Sequence, residues 1–263
     1  MLSYQSVLKY TQMKLFVLLI TTFFCGQNGL AQNYKAEFVQ VLNLNATPDT
    51  NLAVLLFNQQ ESIYTYGKRA DKDNRLGDLF TGDDNTKKTH IKLRDPKGFV
   101  YHSDVKTKLF TNRELLFAKP VIVTDTMIRI DWHVDTVSIK KIGNLVCKKA
   151  IGEFRGRTYE VWFSEEIPVN FGPWKLWGLP GLIVEVQDFY NDVISIKLKS
   201  IKQTDSIIEK PSGDEQLTQS NYVLLFKQKL DNLAKFLKTN GEKSDGFETK
   251  KKTKINVLER SLF

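Results

Sequence analysis

The sequence predicts a mainly β (α+β) protein: a curved antiparallel sheet that carries one C-terminal amphipathic helix. Three observations predict it. Short runs with an apolar residue at every second position recur from residue 34 to about residue 200, separated by polar clusters. No helical periodicity falls between those runs, which argues against repeated βαβ units and for antiparallel pairing. A spacing of three and four residues enters only late, over 221–239.

Taken in order, half-buried strands are predicted at 34–40, 90–93, 98–101, 129–134, 158–163 and 193–198. The runs 52–57 and 182–186 are more continuously apolar, as central strands covered on both faces are. A further strand over 145–151 carries Cys147, and 71–88, rich in Asp, Asn, Lys and Gly, reads as a loop. In 221–239, Val223, Phe226, Leu230, Leu233 and Leu237 share one helix face, with Ser220 as N-cap and Asn240-Gly241 as stop. Such a helix needs an apolar surface to lie on. At ~25 cal/mol per Å2, five such side chains supply several kcal/mol of docking.

Composition narrows the class. Hydrophobic residues make up 41% of 263 residues, enough to build a core and to exclude a disordered chain. Two Cys are too few for a disulfide scaffold, and 7 Pro with 15 Gly exclude a collagen-like chain. Residues 13–31 have a signal-peptide layout: Lys14, an apolar core from Leu15, then polar and small residues ending Gly29-Leu30-Ala31. Residues 1–31 are therefore expected to be removed after Ala31, with Met13 as a complete alternative start. The apolar run is short for a membrane anchor, and Phe24 stands where lipid modification of Cys25 would want a small residue. The single β-rich domain is then 32–241, followed by a basic tail over 242–263. Residues 222–263 hold ten Lys and Arg against five acids, so the positive charge is concentrated at that end.

The most specific segment is 171–186. It holds Phe171-Gly172-Pro173-Trp174-Lys175-Leu176-Trp177, then Gly178-Leu179-Pro180-Gly181-Leu182-Ile183. Three Gly and two Pro in ten positions specify a fixed bend, and the neighbouring Trp and Leu make it apolar. Residues 178–183 spell the hexapeptide of the GLPGLI family of exported bacterial proteins, which this chain resembles. The run upstream is similar too: Cys147-Lys148-Lys149-Ala150, Phe154-Arg155-Gly156-Arg157-Thr158-Tyr159, Trp162 and Ile167-Pro168. Trp177 stands where the pattern has a small residue. The resemblance implies an exported β-rich protein, and it brings no catalytic residues with it. Two physical readings of 172–183 stay open. It is a structural crossover that packs Trp174 and Leu179 on the core and feeds a strand near Leu182, or a pre-ordered recognition loop presenting Trp174, Trp177, Leu179 and Pro180.

Other candidates for chemistry are sparse. Cys147 is the one thiol beyond residue 31; a catalytic thiolate needs a base or helix N-terminus beside it, so a buried core thiol is expected. Asp131, His133 and Asp135 alternate, so one strand would project all three from one face, a weak metal or acid/base row. His90 and His102 lack supporting spacing, and Glu165-Glu166 reads as loop charge. The sequence holds no Ser nucleophile elbow, phosphate-cradling Gly loop, HExxH or CxxC pair.

The expectation is a non-enzymatic binding or accessory protein of a Gram-negative periplasm or cell envelope, with secretion as the alternative address. No cofactor, metal or nucleic acid is expected. The expected partner is an apolar ligand or an envelope protein, with membrane contact open to the basic tail. Two alternatives stand beside it: an envelope hydrolase or redox enzyme using Cys147 or the Asp131, His133 and Asp135 row, and a scaffolding protein acting through 242–263.

Overall fold

The computed structural model describes residues 32–43, 48–67, 81–83, 86–90, 97–117, 119–189 and 193–239. Met1–Gln32 and Asn33–Phe263 are separate units, and the sheet and its helix belong to the second. The signal segment, the Asn240-Gly241 stop and the basic tail lie outside the described residues.

Fourteen strands are described: β1 (Asn33–Leu42), β2 (Asp49–Phe57), β3 (Glu61–Tyr66), β4 (Thr81–Asp83), β5 (Thr86–His90), β6 (Phe99–Asp104), β7 (Leu109–Leu116), β8 (Lys119–Thr126), β9 (His133–Ile142), β10 (Leu145–Phe154), β11 (Arg157–Ser164), β12 (Leu182–Asp188), β13 (Ile194–Thr204) and β14 (Gln216–Thr218). Twelve form one open sheet in the order β14-β8-β7-β6-β3-β2-β1-β13-β12-β11-β10-β9. All neighbours are antiparallel except β14 and β8, which run parallel. The fold class is thus mainly β, with one helix among the described residues, the C-terminal α1 (Gln219–Thr239).

Several elements differ from the sequence expectation. The strand expected at 129–134 begins at His133, because Met127–Trp132 serves as the connection from β8. Within 71–88, expected as loop, β4 pairs with β5 as a separate two-stranded ribbon. β2 is covered on one face only: Ala53, Leu55 and Phe57 are buried while Leu52 is exposed. The cap of α1 is Thr218, whose Oγ1 accepts from the Asn221 amide at 3.2 Å, so Ser220 is already helical.

The alternation of β1, Ala36, Phe38, Gln40 and Leu42 inward, is repeated on β2 and β3, and Tyr101 of β6 stands opposite Tyr64, giving one continuous inner face. Rings cross it in sequence: Phe38 on Tyr64, Tyr64 on Tyr66, Tyr66 on Tyr101. A flat sheet would set β8 and β11, eight strands apart in order, roughly 38 Å from each other. Yet Arg155, in the β10–β11 turn, lies 2.6 Å from Asp125 of β8. The sheet therefore coils round until its two ends meet across the inner face. At the β8 end, Tyr222, Leu225 and Phe226 of α1 pack on Leu116, Val121 and Val123.

Gly181 shows how tightly the crossover into β12 is drawn. A Cβ there would stand 2.2 Å from the Ser164 carbonyl oxygen, at the end of β11. Gly181→Ala must push two backbone segments apart, so a loss of at least about 2–3 kcal/mol is expected in urea melts. A variant as stable as the parent would mean the crossover is slack.

Candidate functional site

The motif loop is built by its own backbone. The Gly178 amide donates to the Asn170 carbonyl at 3.0 Å, and Phe171 and Trp177 form a β-bridge. The Leu176 amide closes a turn on the Pro173 carbonyl at 3.2 Å, with Trp174 at its second position. Trp174 has φ 58°, a left-handed conformation that bulky side chains rarely adopt. The turn drives its side chain inward, where the ring meets Tyr101 at 6.5 Å, Phe154 at 5.6 Å and Tyr159 at 6.2 Å. The Ile183 amide then donates to the Phe171 carbonyl, and the chain enters β12.

Beside Trp174, Lys175 enters the core whole, its side chain 0% exposed. Its ammonium lies 3.2 Å from Asp125 and over the rings of Phe110 and Tyr101, at 5.8 and 6.0 Å. Arg155 reaches the same Asp125 oxygen from the β10–β11 turn, whose Arg155 and Gly156 both have positive φ, as a two-residue type I′ hairpin requires. Two residues on, Arg157 pairs with Asp188 at 2.8 Å, both enclosed. The motif loop, the hairpin and β8 thus meet at one carboxylate. A carboxylate shared by two cations from different elements acts as an anchor between them.

The outer side of the loop differs. Trp177 is half-buried, and its indole N–H donates to the Ile128 carbonyl at 3.0 Å. The Trp132 indole in turn donates to the Trp177 carbonyl at 2.9 Å. Lys108 sits 5.1 Å over the Trp177 ring, while Ile128, Gly178 and Pro180 are exposed. Of the four residues expected in a recognition loop, Trp174 and Leu179 are buried in the core, which leaves Trp177 and Pro180 at the surface.

The remaining candidates are apart from this site. Cys147 is fully buried, burial pushes its thiol up, and its Sγ donates weakly to the Leu145 carbonyl. Asp131 precedes β9 and pairs with Arg129 in an exposed loop, so it shares no strand with His133 and Asp135. Asp135 caps a bulge, accepting from the amides of Val137 and Ser138 and from the Ser138 hydroxyl. Those bonds, the Ser138 side chain first, hold its carboxyl down to about 2. Among the described residues no cluster of three His, Cys, Asp or Glu is placed to hold a metal ion. Glu165 pairs with Lys148, and Glu166 accepts from the Val146 amide. His102 pairs with Glu61 at 2.9 Å, and His90 lies where no side chain is described.

A family model described as "Protein of unknown function (Porph_ging)" matches residues 153–185, the stretch that runs from the hairpin through the motif loop into β12. None of the curated proteins matches the sequence. Among solved structures, PNGF-II is similar in two crystal forms, with TM-scores of 0.52 and 0.53 at 16% identity. The likeness covers 75% of this chain and 33–34% of PNGF-II, so the chain spans about a third of that protein's length. At this identity the likeness establishes a shared fold alone. A LolA superfamily protein from Nitrosomonas europaea, NE2245, matches 67% of this chain and 87% of its own at 7% identity, with a TM-score of 0.28 that carries no argument.

Asp125 is the site residue that the sequence did not disclose. Lys175 and Arg155 lay inside the recognised segments, but only as loop and turn residues.

Proposed function

We propose that this chain is an exported accessory protein of the GLPGLI family that binds an envelope partner through the outer side of the motif loop. The observation that carries the reading is the pair of interlocked tryptophans. Trp132 and Trp177 are each held by a hydrogen bond to backbone, so Trp177, Ile128 and Pro180 form a surface that is ordered before any partner arrives. Pre-ordered aromatic surface loses little entropy on binding, and tryptophan dominates binding energy at such places. Trp174 packs against the tyrosine rings on the inner face, which leaves less apolar surface there for a carried apolar ligand and favours a protein partner. Export rests on the layout of residues 13–31, and the recurrence of the fold within the longer PNGF-II supports a modular, accessory role.

The test is partner recovery from the envelope with tagged full-length protein. Trp177→Ala should keep a cooperative thermal melt and lose about 2 kcal/mol or more of partner affinity. Equal recovery by parent and variant would remove the surface from consideration. A native mass that exceeds the unfolded mass by that of an apolar molecule extractable into organic solvent would favour the carrier reading instead.

A further inference from the structure

We propose that the tip of the motif loop closes a binding site for a small oxyanion bearing a hydroxyl, of the hydrogen-phosphate or hydroxycarboxylate kind, held by Arg155 and Asn112. Asn112 is 0% exposed, and neither the nitrogen nor the oxygen of its amide has a hydrogen-bond partner. Arg155 bonds Asp125 through Nη2 while its buried Nε donates to nothing. The two residues belong to one place. Asn112 pairs across the sheet with Tyr101 and Val123, and Asp125 pairs with Phe110. Asn112 and Asp125 are therefore diagonal neighbours on one face, about 7–8 Å apart, with Arg155 bonded to the latter.

An enclosed amide without partners costs about 1–3 kcal/mol, and native proteins retain few of them. The chemistry of these two groups is specific. With Nη2 on Asp125, Arg155 has its Nε–H left as a charge-assisted donor to an anionic oxygen. Asn112 has both N–H donors and a carbonyl acceptor to satisfy, which calls for a ligand that accepts through an anionic oxygen and donates through a hydroxyl. Tyr101 and Phe110, on the same face as Asn112 and over the Lys175 ammonium, are aromatic and keep the local dielectric low, which strengthens each bond. Arg155, with a side chain 13% exposed, stands at the way in. Strained backbone clusters at ligand clamps, and Trp174 carries it here.

Thermal melts of the full-length protein in rising inorganic phosphate, at constant ionic strength and neutral pH, test this. Tm should rise and saturate, and sulfate, which has the charge without the hydroxyl, should need about tenfold more. Arg155→Lys keeps a cation for Asp125 and deletes Nε, so its phosphate midpoint should rise about tenfold. Asn112→Leu removes the unsatisfied amide; it should melt no lower than the parent without phosphate and gain nothing from adding it. Equal responses to phosphate and sulfate, or unchanged midpoints in both variants, would overturn the proposal. Flotation with phosphatidic acid vesicles that free phosphate abolishes would assign the same oxyanion to a lipid headgroup, and its absence to a soluble molecule. The site is separate from the partner surface: Trp177→Ala should leave the phosphate midpoint in place.

Discussion

Asp125→Ala is expected to lower stability by about 3–5 kcal/mol, since it leaves the Lys175 ammonium and the Arg155 guanidinium at a buried centre without their shared carboxylate. For a domain of this size that corresponds to a fall in Tm of about 10 °C or more. The diagnostic is the rescue. Buried ion pairs are matched by apolar residues of similar volume, so Lys175→Met in the Asp125→Ala background should recover part of the loss, although Met alone cannot replace the contact to Arg155. A loss under about 1 kcal/mol from Asp125→Ala would show that the coiled sheet does not depend on this junction.

Trp174→Ala is the second large effect, about 3–5 kcal/mol, because the ring fills the space between Tyr101, Phe154 and Tyr159. Here the backbone supplies an internal control. At φ 58° an L-residue is strained by roughly 1–2 kcal/mol while glycine is at ease, so Trp174→Gly should be more stable than Trp174→Ala. That order is the reverse of the usual one. If Ala proves the better replacement, the turn relaxes once the ring is gone, and the left-handed conformation belongs to packing rather than to the turn.

The strands legible in the sequence are those whose inward positions are apolar. β1, β11 and β13 alternate cleanly, and the Gly and Pro of 172–183 announce a bend that the structure contains. β3, β7 and β8 are not legible, for a physical reason. Their enclosed positions include Ser62, Thr111, Asn112 and Asp125, so polar residues occupy the slots where alternation demands apolar ones. A pattern of hydrophobicity cannot register a strand whose polar side chains are buried. Two of these residues, Asn112 and Asp125, belong to the sites argued above, which is why strand and site are hidden together. The row of Asp131, His133 and Asp135 fails in the other direction. Alternation suggests a strand, but the connection from β8 continues to Trp132, and Asp135 is engaged by the amides of its own bulge.

What the sequence determined alone is local: the mainly β character, the late helix, and the bend at the motif, where Gly178 meets a positive φ and Gly181 a close carbonyl. Each follows from the conformations open to a residue and its near neighbours. What only the tertiary structure decided is how far the sheet coils and which groups meet when it does. Asp125 lies 30 residues from Arg155 and 50 from Lys175 in the chain. No local preference encodes that meeting; it arises because the twelve strands curl until opposite ends touch, and two buried cations then require a carboxylate between them.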